Sequence, residues 1–256
     1  MPETDTTLVG QPRLMWGTAE VREVVAETPR VRSLILDVPG WPSHRPGQHV
    51  DLRLTAEDGY QAQRSYSIAS APETLHLTLT VERIDDGEVS PYLTLEVQAG
   101  DRFEVRGPIG GYFAWTPALG GPLFLIAGGS GIAPLMAMLR HRAAVGSKVP
   151  ALLLYSSRTF EEIIYREELD RLAAQDSGVR VLHTLTRRQP PGWTGAVRRI
   201  DRDMLAEIGI PAIAAPRVFI CGPTSLVEAA ARSMLALGHQ AGLIKTERFG
   251  PTGASP

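Results

Sequence analysis

From Leu75 to Glu82 the chain alternates: Leu75, Leu77, Leu79 and Val81 fall two apart, with His76, Thr78, Thr80 and Glu82 between them. A period of two places each set on its own side of a strand and predicts one buried face. Shorter β-rich runs occur at Val31–Val38, Val50–Leu54 and Arg102–Val105, and Arg64–Ser67 closes another. Pro39-Gly40 and Pro46-Gly47 punctuate them. Several short strands between such turn residues predict an antiparallel barrel or sandwich.

Near Gly120-Gly121-Pro122 the rhythm changes to strand, loop, helix. Leu123–Ala127 is a compact apolar strand, followed by a glycine-rich turn and helical spacing over Pro134–Arg142. Leu152–Tyr155 precedes a helix predicted over Glu161–Ala174, where Glu167 and Arg171 can pair at i,i+4. Val179–Leu185 reads as a strand. Arg217–Cys221 is another, before a helix over Thr224–Leu237 with Gly238 at its C-terminal cap. This alternation builds a parallel sheet with right-handed crossovers. The expected fold is therefore α/β plus all-β: an N-terminal antiparallel β-barrel over residues 12–116, then a parallel-sheet α/β domain over 122–249. Gly250–Pro256 reads as a tail.

The length of 256 residues suits two such domains, and a chain of this size buries enough surface to fold without disulfides. Lys and Arg total 26 against 28 Asp and Glu, a formal charge of −2 that gives no broad footprint for nucleic acid. Cys221 is the sole cysteine. That excludes an intramolecular disulfide, a Cys-rich zinc site and a Cys-ligated iron–sulfur cluster built from this chain alone. The six histidines show no metal-ligand spacing, so no metal is expected. The N-terminus is polar and acidic, and apolar runs such as Leu123–Ala127 and Ala151–Tyr155 are too short to span a bilayer. A cytoplasmic protein without membrane contact is expected.

Three stretches carry chemistry. Gly128-Gly129-Ser130-Gly131-Ile132-Ala133-Pro134 follows the first α/β strand and opens its helix, where glycines let the backbone approach a pyrophosphate. Proline stands where the dinucleotide fingerprint ends in glycine, and a ligand-free strand-to-helix turn is the competing reading. No G-x-S-x-G surrounds Ser130, which excludes a hydrolase elbow. After the second α/β strand come Ser157 and Arg158 without the acid that would grip a ribose 2′-hydroxyl, a pattern favouring NADPH over NADH, unless Arg158 is a solvated loop residue. In the barrel, Arg64-Ser65-Tyr66-Ser67 combines a guanidinium that can fork onto phosphate, a flat aromatic face and two hydroxyls. Singly, Tyr66 reads as a barrel residue and Arg64 as an exposed strand charge.

Together these stretches resemble the ferredoxin–NADP reductase family. Arg64–Ser70 resembles its flavin-binding R-x-Y-S motif, preceded by Pro46-Gly47-Gln48. Gly87-Glu88-Val89-Ser90-Pro91-Tyr92-Leu93 resembles its flavin-phosphate segment, and Gly107–Phe113 the turn closing its barrel. Gly128–Pro134 resembles its nicotinamide-cofactor loop, including the proline, and Phe219–Pro223 the C-G-P at its hydride-transfer site.

The resemblance implies bound FAD, with NADPH or NADH as co-substrate. It implies that Arg64 contacts the flavin phosphates, Tyr66 lies against the isoalloxazine and Ser67 hydrogen-bonds near flavin N5. Gly87, Val89 and Ser90 would hold the pyrophosphate, and Val81 and Arg83 would line the ribityl or adenine side. Gly129, Ser130, Gly131 and Pro134, with Ser157 and Arg158, would receive the nicotinamide coenzyme. Cys221, Gly222 and Pro223 would sit near nicotinamide C4, while Glu247-Arg248-Phe249 resembles an ending that sets a carboxylate or aromatic group against the flavin. Ser67, Cys221 and Glu247 are the expected catalytic set. No iron–sulfur domain is recognisable, so the electrons are expected to pass to a separate ferredoxin, flavodoxin, haem protein or oxygenase component. A reductase of free flavin or other small acceptors, and a regulatory subunit that binds flavin or nucleotide without turnover, are the rival readings.

Overall fold

In the computed structural model, which describes residues 14–249, the alternating stretches of the first half close into a barrel. Its strands are β1 (Trp16–Thr28), β2 (Val31–Asp37), β3 (His49–Thr55), β4 (Gln61–Ser67), β5 (Leu77–Glu82) and β6 (Arg102–Ile109). They pair in the order β4-β3-β6-β1-β2-β5, each pair antiparallel. A bridge between Ile68, just past β4, and Leu79 joins the two ends of the sheet. A short helix, α1 (Ser90–Leu95), lies between β5 and β6 in the chain. Leu34, Leu36, Val50, Leu52, Ile68, Leu79 and Val81 fill the barrel with no exposed surface.

The expected half-buried strand departs from its pattern in two ways. Leu75 is 89% exposed because the strand begins only at Leu77. Thr78 and Thr80, expected on a wet face, are buried, because the second domain covers that face of the barrel.

The second half contains β7 (Leu123–Gly128), α2 (Ile132–Ala144), β8 (Ala151–Ser157), α3 (Arg166–Gln175), β9 (Val179–Leu185), α4 (Arg202–Ile208), β10 (Arg217–Pro223), α5 (Thr224–Ala236) and β11 (Ile244–Phe249). The five strands are parallel in the order β11-β10-β7-β8-β9. Leu123, Leu125 and Ala127 of β7 face one core while Phe124 and Ile126 face another. Strands buried on both faces read as continuous apolar runs, and β7 and β8 do. The chain enters this sheet at β7, winds outward through β8 and β9, then returns across β7 to lay down β10 and β11. The winding therefore reverses between β7 and β10, where ligands of open α/β sheets gather beyond the carboxyl ends.

The helix expected from Glu161 starts only at Arg166. Phe160–Glu162 makes a single 3-10 turn, Ile163 and Ile164 are buried, and Tyr165 takes a left-handed conformation at φ 60° and ψ 23°. The apolar Ile163-Ile164-Tyr165 run enters the core here. Arg171 meets the carbonyl of Glu167 at 3.4 Å, in place of the side-chain pair that the spacing suggested. Gly238 takes φ +86° after α5, as a C-terminal cap requires. Gly250–Pro256 and residues 12–13 lie outside the described residues. Among the described residues no helix is long and apolar enough to cross a membrane, and no group of three or more His, Cys, Asp or Glu is placed to hold a metal ion.

Candidate active site

The carboxyl ends of β7 and β10 meet at the reversal of winding because two glycines allow it. A Cβ on Gly131 would lie 2.2 Å from the Cys221 carbonyl oxygen, and one on Gly222, at φ +153°, would lie 3.0 Å from the Gly128 nitrogen. No larger residue brings these backbones this close. Gly129–Gly131 forms one 3-10 turn leading into α2, and Pro134 falls in the first turn of that helix, where its missing N–H costs nothing.

A cleft of about 1060 Å³ opens in front of this junction and extends across to the barrel. Its size lies at the upper end of small-molecule sites. The barrel contributes Arg64, Ser65, Tyr66 and Ser67 from β4, Thr80 and Glu82 from β5, and Gly87–Ser90. From the α/β domain come Gly128–Ser130, Ser156–Arg158, Thr186, Arg187, Arg199, Pro223 and Phe249. The two motif groups, more than sixty residues apart in sequence, thus face each other across one space.

The barrel end of the cleft is a cradle for an anion attached to a flat ring. Arg64 is exposed at the rim, reaching the Gln63 carbonyl at 2.6 Å and the Glu88 carboxylate at 3.3 Å. Such an exposed pair is weak, so the guanidinium is readily transferred to a phosphate. Gly87 begins a turn with no room for a side chain, since a Cβ there would meet the Ile84 carbonyl oxygen at 2.9 Å. Ser90 Oγ accepts the Ile84 amide at 3.0 Å, which fixes this turn and leaves the hydroxyl proton to donate. Tyr66 packs on the barrel core, and burial pushes its phenol up to about 12, so it remains a neutral ring.

Ser67 is 5% exposed, lines the cleft, and its Oγ has no hydrogen-bond partner among the described residues. Buried hydroxyls rarely go unpaired, and an orphan aimed into a cleft marks a ligand's place. Ser157 also lines the cleft, and its buried Oγ likewise has no hydrogen-bond partner among the described residues. With the Arg64 donors and the turn at Gly87, the residues fit FAD.

The far end is basic. Arg158, Arg187 and Arg199 line it, and none has a carboxylate within 4.0 Å among the described residues. The Arg158 carbonyl accepts the amides of Arg187 at 2.9 Å and Arg188 at 3.2 Å, holding the two loops together. Sequence reasoning singled out Arg158 alone. The paired arginines 187–188 and 198–199 were the available signal, but nothing linear shows that one member of each pair reaches the cleft.

Several expected residues stand behind the cleft wall. Val81 is fully buried in the barrel core, while its strand neighbours Thr80 and Glu82 line the cleft. Arg83 is not among the residues lining the cleft, and its Nε donates to Asp85 at 3.1 Å. Gly131, Pro134, Cys221 and Gly222 do not line the cleft themselves, although their neighbours Ser130, Ala133 and Pro223 do. Cys221 is fully buried, and burial first, then the charge of Glu247, pushes its thiol well up. It is a small neutral group, unsuited to act as a thiolate. Glu247 is half-buried with Oε2 unpartnered among the described residues, and burial raises its carboxyl to about 7. Ser130 Oγ donates to Glu82 at 2.7 Å, tying the glycine-rich loop to the barrel.

Two families of known domains match the chain. Residues 19–114 match the oxidoreductase FAD-binding domain and residues 125–232 the oxidoreductase NAD-binding domain. NADH-cytochrome b5 reductase 1 of Aspergillus oryzae is 34% identical over 212 residues, which is 79% of this chain and 70% of that protein. The glycine betaine monooxygenase reductase subunit of Pseudomonas aeruginosa is 32% identical over 235 residues, 90% of this chain and 63% of the relative. The chain thus spans about two thirds of the length of these curated relatives. Among solved structures, the flavohem-like FAD/NAD binding domain of nitric oxide dioxygenase from Vibrio cholerae matches with a TM-score of 0.82 at 26% identity, covering 92% of this chain and 99% of the other.

Proposed function

Since the chain belongs to the ferredoxin–NADP reductase family of FAD- and NAD-binding oxidoreductases, we propose that it draws electrons from NADPH and passes them singly to a separate protein acceptor. The observation that carries this reading is the cleft itself: the Arg64–Ser67 motif and the glycine-rich loop of β7 line one continuous space. FAD, when bound, supplies the step between a two-electron donor and a one-electron acceptor.

The chain's own residues hold, orient and neutralise. Arg64 and the Gly87–Ser90 turn bind the FAD phosphates, a charge-assisted contact. Tyr66 offers its ring face, and the free hydroxyl of Ser67 supplies the polar contact beside the reacting edge. Gly129 and Ser130 receive the nicotinamide coenzyme, and Phe249 walls the cleft at the end of β11. Cys221 and Glu247, paired on β10 and β11, stand behind the nicotinamide, where Glu247, titrating near neutrality, can hold or release a proton at Oε2. Arg158, Arg187 and Arg199 together bind the 2′-phosphate, which makes NADPH the preferred coenzyme. The acceptor is a haem protein or an oxygenase component, a class supported by the names of the relatives above; a ferredoxin or flavodoxin remains within the same chemistry.

The test begins with anaerobic titration of the FAD-loaded protein by NADPH and by NADH, followed through the flavin absorbance. Bleaching by either coenzyme supports the oxidoreductase reading, and its persistence against both overturns it. Turnover is then compared among a haem protein, a ferredoxin and added FMN. Fastest transfer to free FMN would replace the protein-acceptor reading with that of a flavin reductase.

A further inference from the structure

Beside the cleft, side chains of both domains converge in a polar cluster whose centre, Ser33, Thr80 and Tyr165, is buried. The barrel supplies Glu27 from β1, Ser33 from β2 and Thr80 from β5. The α/β domain supplies Arg140 from α2, with Tyr165 and Glu168 at the start of α3. Ser33 Oγ donates to Glu27 Oε1 at 2.7 Å and lies 3.0 Å from Thr80 Oγ1. The Tyr165 hydroxyl hydrogen-bonds Thr80 and stands 3.5 Å from Ser33. Arg140 grips Glu168 with two bonds of 2.9 and 2.6 Å, donates across the boundary to the Ala69 carbonyl at 2.8 Å, and lies 4.7 Å over the Tyr165 ring.

Two features set this cluster apart from ordinary domain contact. Tyr165 reaches it only through a left-handed backbone, which a non-glycine residue keeps only where its surroundings hold it there. Contact between domains of one chain permits sliding by default, whereas hydrogen bonds of fixed direction do not. The cluster also abuts the site, since Thr80 and Ile164 line the cleft on either side of it.

We propose that Tyr165 and Arg140 are positioning residues that lock the α/β domain to the barrel at the separation needed for electron transfer from coenzyme to flavin. The proposal rests on the function given above. Tyr165→Phe removes only a hydroxyl, and Arg140→Lys keeps the charge while losing the fork.

In FAD-loaded protein, each should slow anaerobic flavin reduction at saturating NADPH by about tenfold or more, because small misplacements at the reacting centre are costly. KM for NADPH should stay within about twofold and FAD content should be unchanged. In flavin-free protein, amide hydrogen exchange at Ala69 and Ile164 should quicken relative to the β7–β8 core. Wild-type reduction rates in both variants, or a lowered Tm with those rates intact, would overturn the proposal; so would unchanged exchange. If the wild-type protein fails to take up FAD or to be reduced, the functional reading falls, while the exchange measurement still decides whether the lock exists.

Discussion

Cys221 and Glu247 lie side by side in register on the parallel strands β10 and β11, which sets a buried thiol beside a half-buried carboxyl. The Glu247 carboxyl titrates near 7 in place of its usual 4.5. Between those values the folded protein keeps a proton that the unfolded chain has lost. The resulting stabilisation is whole below the unfolded value and disappears as pH rises through about 7.

Glu247→Gln should therefore become progressively more stable than the wild type as pH rises from about 5 to 8, by up to ~3 kcal/mol. Thermal unfolding of both proteins across that range measures it. A stability difference that ignores pH would show that the carboxyl is not perturbed.

Ser67→Ala separates function from stability. Its hydroxyl is buried without a hydrogen-bond partner among the described residues, so removing it should leave Tm level or slightly higher. Reduction of bound flavin by NADPH should nevertheless slow. A fall in Tm with wild-type reduction would mean that the hydroxyl serves the fold and not the site.

Arg64→Ala should yield a folded protein depleted of flavin. The exposed contact with Glu88 contributes little, so the unfolding midpoint without flavin should hardly move. Loss of a charged bond to phosphate, about 1.5–3 kcal/mol, corresponds to roughly 10- to 150-fold weaker FAD binding. The ratio of flavin to protein absorbance after gel filtration gives the answer, and undiminished flavin would remove Arg64 from the phosphate site.

Arg158→Ala should raise KM for NADPH about tenfold or more while NADH changes less than twofold. Arg187→Ala and Arg199→Ala should act in the same direction, since all three line the same end of the cleft. Steady-state kinetics with both coenzymes checks this. Equal effects on the two would place these arginines away from the 2′-phosphate.

Local pattern made much of this legible. The apolar run at Leu123–Ala127 became a strand because a sheet buried on both faces demands such a run. Arg64–Ser67 and Gly128–Pro134 stood out as motifs because phosphate and ring binding need those residue types close together. The thirteen-residue β1 gave no comparable sign: its one-sided burial is irregular and shifts register twice against β2.

The sequence alone determined two domains of different periodicity and the residues able to touch a flavin phosphate, because spacing and side-chain chemistry are local properties. Tertiary structure decided which of those residues share a space. It set Val81 in the barrel core while Thr80 and Glu82 line the cleft, tied Arg187 to Arg158 through a loop hydrogen bond, set Arg199 on the same cleft, and halted the helix at Tyr165 so that its hydroxyl could reach Thr80. Each of these depends on the placement of backbone far away in the chain, and long-range placement is set by packing that no short window of residues contains.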